Sequence, residues 1–131
     1  MSLASPSRPD LDAYTSAVRA DQRSLVRELR ELLGARLVAY LGGVQETRAV
    51  RQWAEGTRKI RDAGDEQRLR IAYQAALVIT ARDSREVAQS WFQGLNPQLG
   101  DRSPARMLLE DKPDDAGPAV LAAARAFAGV G

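Results

Sequence analysis

Five apolar side chains between Gln22 and Leu33 set the strongest constraint on this chain. Leu25, Val26, Leu29, Leu32 and Leu33 fall at i, i+1, i+4, i+7 and i+8, one stripe of an α-helix, and Gly34 follows where the helix must stop. The rest of the chain repeats that logic. Asp10 stands where it can cap a helix through Arg19, a short helix is expected over 36–41 before Gly42-Gly43, and another over 46–55 before Gly56. Asp65 opens a longer helix through about Arg82, with Leu69, Ala72, Tyr73, Ala76 and Ile79 or Thr80 on its inner face. Its alanines allow close packing, and it reads as the central helix. Asp83 or Ser84 caps a helix through Gln93, and helices over 104–109 and 116–128 complete the set. There is no run of alternating β-branched residues and no internal repeat. The expected class is all-α, a small helical bundle.

The 131 residues, 44% hydrophobic and 27% charged, suit one compact domain or two very small ones. The chain has no Cys and no His, which removes disulfides and the thiolate and imidazole metal ligands, so no metal or other cofactor is expected. Nucleophile-base pairs built on those residues, a G-x-S-x-G elbow and a phosphate-cradling Gly loop are likewise missing, and the chain is not expected to be an enzyme. Two acidic groups, Asp62, Asp65 and Glu66, and Asp111, Asp114 and Asp115, lie in turns beside helix starts. They read as caps and dipole partners rather than as an acid/base pair. The first nine residues are rich in Ser and Pro, expected to be flexible, and lack a signal-peptide core. No apolar run approaches the roughly 18 residues of a membrane span, so a cytoplasmic location without a membrane partner is expected.

Charge is unevenly placed. Residues 1–82 hold 14 Arg/Lys against 10 Asp/Glu, and residues 83–131 hold 5 against 7. With 17 Arg and 2 Lys, part of the abundance reads as a compositional habit, so clustering carries the argument. The segment 37–61 has the layout of a helix-turn-helix: a short apolar helix, a Gly-containing turn and a second helix. Val50, Trp53 and Ala54 can face inward, leaving Thr47, Arg48, Arg51 and Gln52 outward, where Arg can pair with guanine and Gln with adenine. Beyond Gly56, Arg58, Lys59 and Arg61 are placed to grip a phosphate backbone. From Arg48 to Arg61 there are five cations and one acid, Glu55. Trp53 reads as core rather than as a base-stacking residue.

The segment 89–109, QSWFQGLNPQLGDRSPARMLL, poses a different problem. Gly94 can end the helix that carries Trp91 and Phe92, Pro97 fixes its own φ and disfavours helix at Asn96, and Ser103-Pro104 supplies a cap followed by Pro in the first turn. The turn is therefore preshaped. It serves either as a structural plug for a small core or as a recognition element held rigid at the surface.

Both segments resemble one family. Val50, Trp53 and Gly56 have the spacing of the second helix and following loop of the Xre, lambda repressor-like class, although the stretch from Gly43 to Val50 is about one residue longer than the usual turn-to-helix spacing. Trp91-Phe92, Asn96-Pro97, Leu99-Gly100, Arg102-Ser103-Pro104 and Leu108-Leu109 follow in the order of the toxin-binding domain of Xre/MbcA/ParS antitoxins. The resemblance covers about residues 34–131. It implies a flexible N-terminus (1–9), an Xre-like helix-turn-helix region (10–64), a linking helix (65–82) and a toxin-binding domain (83–131). It further implies an antitoxin that neutralises a RES-type, NAD-consuming or related ADP-ribosylating toxin by steric occlusion, and that binds its operator DNA as a homodimer. The implied toxin-binding residues are Trp91, Phe92, Asn96, Pro97, Arg102, Arg106, Arg125, Ala128, Gly129, Val130 and Gly131. One departure is the longer acidic connection EDKPDDAGP before Ala119. The rival reading is a helix-turn-helix transcription regulator with no toxin, and a third keeps the inhibitor without DNA binding.

Overall fold

The computed structural model describes residues 9–129, so most of the segment expected to be flexible, together with Val130 and Gly131, lies outside the described residues. Among the described residues there are eight α-helices and no strand: α1 (Pro9–Arg19), α2 (Gln22–Leu33), α3 (Ala35–Leu41), α4 (Thr47–Glu55), α5 (Ala63–Thr80), α6 (Arg85–Gln93), α7 (Pro104–Glu110) and α8 (Pro113–Ala128). A single 3-10 turn, Pro97–Leu99, lies between α6 and α7.

Local chemistry sets most of the boundaries. The side chains of Asp21, Asp62, Ser84 and Ser103 accept the amides of Ser24, Asp65, Val87 and Arg106 at 2.8 to 3.1 Å, capping α2, α5, α6 and α7. Three expected starts differ. Asp10 lies inside the first turn of α1 rather than capping it. Asp62, not Asp65, begins α5, because its carboxylate reaches the Asp65 amide. Helix α8 starts at Pro113, so the acidic stretch is mostly helix: Pro113 occupies the first helical position, which needs no N–H, and Asp114 and Asp115 sit at the positive end of the dipole. Pro118 lies within α8 without stopping it.

Helix α5 is the centre. It packs against α1, α2, α3, α6, α7 and α8, and Leu69, Ala72, Tyr73, Ala75, Ala76, Val78 and Ile79 are all buried. Alanine permits the approach: Ala72, Ala75 and Ala76 on α5 share the core with Ala116, Val120, Ala123 and Ala124 on α8, and a Cβ on Gly117 would come within 3.0 Å of Ile71. One continuous core runs from Ala17 to Ala124 and crosses the boundaries expected at 64/65 and 82/83.

Long polar side chains finish the helix ends. The last carbonyls of a helix have no intrahelical partner and carry partial negative charge. Arg70 donates to the carbonyls of Ala17 and Ala20 at the end of α1, Gln89 to Leu32 of α2, Arg68 to Leu41 of α3 and Arg27 to Ala54 of α4. Gln22 holds both the N–H and the C=O of Ile60, at 3.0 and 3.2 Å, pinning the loop after α4 to α2. No helix among the described residues is long and apolar enough to cross a membrane.

Candidate functional site

Two surfaces are built with more care than packing requires. The first joins α3, α4 and the loop after it. Gly42 and Gly43 divide the turn between them. Gly42 continues the helical conformation, and a Cβ there would lie 2.8 Å from the Trp53 ring, so the indole packs on bare backbone. Gly43 takes φ +74° and lets the Val44 amide reach back to the Ala39 carbonyl at 3.0 Å. Behind this turn the buried guanidinium of Arg68 joins the Leu41 carbonyl to Asp65.

That frame fixes the outward face of α4. Ala49, Val50, Trp53 and Ala54 are buried, which makes Trp53 a core residue, while Thr47, Arg48 and Arg51 are exposed and Gln52 is half-buried. Arg48, Gln52 and Arg58 line one open groove of about 450 Å³ with Val44, Gln45, Glu46 and Ala49. Arg58, Lys59 and Arg61 line the recess beside it, which shares Val44, and Arg36, which the sequence did not single out, meets Thr47 and Arg48 in a third. Arg51 is exposed outside these grooves. Arg48, Arg51, Lys59 and Arg61 make no ion pair among the described residues, and the Arg58 guanidinium stands 6.0 Å above the Trp53 ring. Of the acids nearby, Asp62 caps α5 and Asp65 holds Arg68, whereas Glu46 shares the groove with Arg48 and Glu55 ends α4. A band of exposed cations that outnumber the acids on one helix and the loop after it is what a polyanion needs.

The second surface is the turn between α6 and α7. Asn96 accepts from Gln98 through its side chain at 2.9 Å, while its backbone N–H donates to Arg102 O at 3.1 Å and its carbonyl accepts from Leu99 and Asp101. Gly100 and Asp101 both take positive φ, 65° and 62°, to close the loop. Arg102 then forks onto Asp111, Nη1 to Oδ1 at 2.9 Å and Nη2 to Oδ2 at 2.8 Å, tying the turn to the end of α7. This bond holds the Asp111 carboxyl below and the Arg102 guanidinium above their ordinary values.

The residues expected to meet a partner divide accordingly. Phe92 is fully enclosed and supplies packing, not contact area. Trp91 is buried edge-to-face against Phe92, with ring centroids 5.1 Å apart. Arg102 is committed to Asp111 as a brace, and Arg106 pairs with Glu110 one turn along. Pro97 and Gly129 are exposed, whereas Asn96, Arg125 and Ala128 are half-buried. Phe127 of α8 is 50% exposed and stands 6.3 Å from Trp91 between ring centroids. Leu95, which the sequence reading passed over, is 78% exposed. Leu95, Asn96, Trp91 and Phe127 line one open, mainly apolar groove of about 430 Å³. An apolar residue between a helix-ending Gly and Asn-Pro, with no periodic partner, was the available signal.

No family model, curated protein or solved structure matches the chain.

Proposed function

We propose that the chain is a non-enzymatic antitoxin: α3–α4 and the loop after them bind operator DNA as a homodimer, and the α6–α8 region neutralises a separately encoded toxin. The observation that carries the DNA half is the set of cations Arg48, Arg51, Lys59 and Arg61, exposed, without ion pairs among the described residues and grouped around a fixed helix. Thr47, Arg48, Arg51 and Gln52 read base edges, and Arg58, Lys59 and Arg61 hold phosphates. The inhibitory half rests on the preshaped Asn96 to Arg102 turn beside exposed Leu95 and Phe127, and on the likeness of that segment to Xre/MbcA/ParS antitoxins. The partner is then a RES-type enzyme that consumes NAD or transfers ADP-ribose. The last turn of α8, with Arg125, Ala128 and Gly129, covers the entrance to its substrate pocket, and small residues suit close approach to a narrow cleft.

The rival, a regulator without a toxin, is separated by co-expression with the product of the adjacent reading frame. Rescue of growth and recovery of a stable complex support the antitoxin. A frame whose product is harmless and does not bind favours the regulator.

A further inference from the structure

Four helices close a ring on one side of the molecule: α2 packs on α3, α3 on α7, α7 on α6 and α6 on α2. The ring does not fill its own centre. Where the end of α2, the start of α3, the end of α6 and the start of α7 meet, an open cleft of about 690 Å³ remains, within the range of small-molecule sites. Small residues leave the gap. A Cβ on Gly34 would meet nothing within 4 Å, and Ala35 and Ala105 continue the same wall.

Floor and rim differ in chemistry. Leu33, Leu37 and Ala105 are buried and apolar, while Arg36, Tyr40 and Gln93 stand exposed around them beside half-buried Ser103. No carboxylate lines the cleft, and Arg36 makes no ion pair among the described residues. Ser103 accepts the Arg106 amide, which leaves its hydroxyl proton free to donate. None of the residues assigned above to bases, phosphates or the toxin lines this cleft, although it shares Arg36 and Tyr40 with the groove that holds Thr47 and Arg48.

We propose that the cleft binds a small aromatic carboxylic acid. The Arg36 guanidinium offers two parallel donors that match a carboxylate. The exposed Tyr40 ring and the leucine floor suit a flat apolar body, and Gln93 and Ser103 can donate to a hydroxyl or carbonyl on its edge. Charge selects the acid over the neutral ring, since the lining holds one cation and no anion. Because the cleft is open, part of the ring stays in water and the affinity is modest, a Kd of about 0.1–1 mM for a bicyclic acid. The inference stands on the cleft alone and needs neither the operator nor the toxin reading.

Amide NMR shifts of the isotope-labelled full chain, titrated with naphthoate and in parallel with neutral naphthamide, test it. The Gly34, Arg36, Tyr40 and Ser103 amides are expected to shift and saturate with naphthoate, and naphthamide to bind about tenfold more weakly. Arg36→Gln, a change at an exposed position, should bring naphthoate down to the level of naphthamide and leave naphthamide itself unmoved. No saturable shift by about 5 mM naphthoate, shifts centred on Arg48 and Arg51 of α4 instead of the cleft, equal affinity for the two probes, or undiminished naphthoate binding by Arg36→Gln would each overturn the inference.

Discussion

Arg102 and Asp111 meet in a two-pronged ion pair across nine residues, and through it the end of α7 braces the turn that begins at Asn96. Only a planar fork can make both bonds. Arg102→Lys should therefore behave like Arg102→Ala, leaving the helices intact while the Asn96 and Asp101 amides exchange faster. Hydrogen exchange followed by NMR checks this, and unchanged protection at both amides in both variants would show that the pair braces nothing.

Acid should act on the same bond. Asp111 is lowered first by its bond to Arg102, and Asp21 by the Ser24 amide it caps. A carboxyl whose folded pKa lies below its unfolded value stabilises the fold above that unfolded value, near 3.8 for Asp, and the contribution disappears as pH falls through the folded pKa. With no His in the chain, stability should be nearly flat from about pH 5 to 8 and fall below about pH 4. Urea midpoints measured across pH settle it; a step near neutrality would contradict the assignment.

Gly42 and Gly43 should fail differently. Gly42→Ala drives a methyl into the Trp53 ring and is expected to cost ~1–3 kcal/mol, with a perturbed tryptophan emission spectrum. Gly43→Ala strains the positive φ and brings its methyl to 3.2 Å from the Arg68 guanidinium, away from the indole, costing ~1 kcal/mol with little spectral change. Urea unfolding followed by fluorescence compares them. Equal costs and equal spectra would mean that the indole does not rest on Gly42.

On operator DNA, Arg48→Ala or Arg51→Ala should weaken specific binding by ~1–3 kcal/mol, whereas Lys59→Ala should weaken all sequences alike and reduce the salt slope by about one. Arg51 lies outside the grooves that gather Arg48, Gln52 and Arg58, which makes it the sharper of the two tests. Fluorescence anisotropy at several salt concentrations supplies the data. Salt-insensitive binding, or none, would leave the basic face of α4 without this role.

The helices were legible because their causes are local. The Leu25 to Leu33 stripe, the Gly34 and Gly56 stops and the Ser84 and Ser103 caps act within a few residues, and α2 has the limits its spacing predicts. Helix α8 begins three residues before the expected start at 116, because Pro113 suits the first helical position and Asp114 and Asp115 suit the first turn. The caps by Arg27, Arg68, Arg70 and Gln89 were hidden, since their carbonyls lie 27 to 57 residues away. The candidate surfaces were half visible. Exposure of Arg48 and Arg51 follows from helix period, but the fork that commits Arg102 to Asp111 and the outward turn of Phe127 depend on where α7 and α8 come to rest.

The most direct measurement of the proposed function is NAD consumption by the product of the adjacent reading frame, titrated with the full protein and with two variants, Leu95→Asp and a chain ending at Ala128. The full chain should suppress turnover completely at saturating ratio. Leu95→Asp should lose binding, and the shortened chain, folded and still bound, should let part of the NAD consumption return. Undiminished turnover in the presence of excess full-length, folded protein would contradict the antitoxin assignment outright.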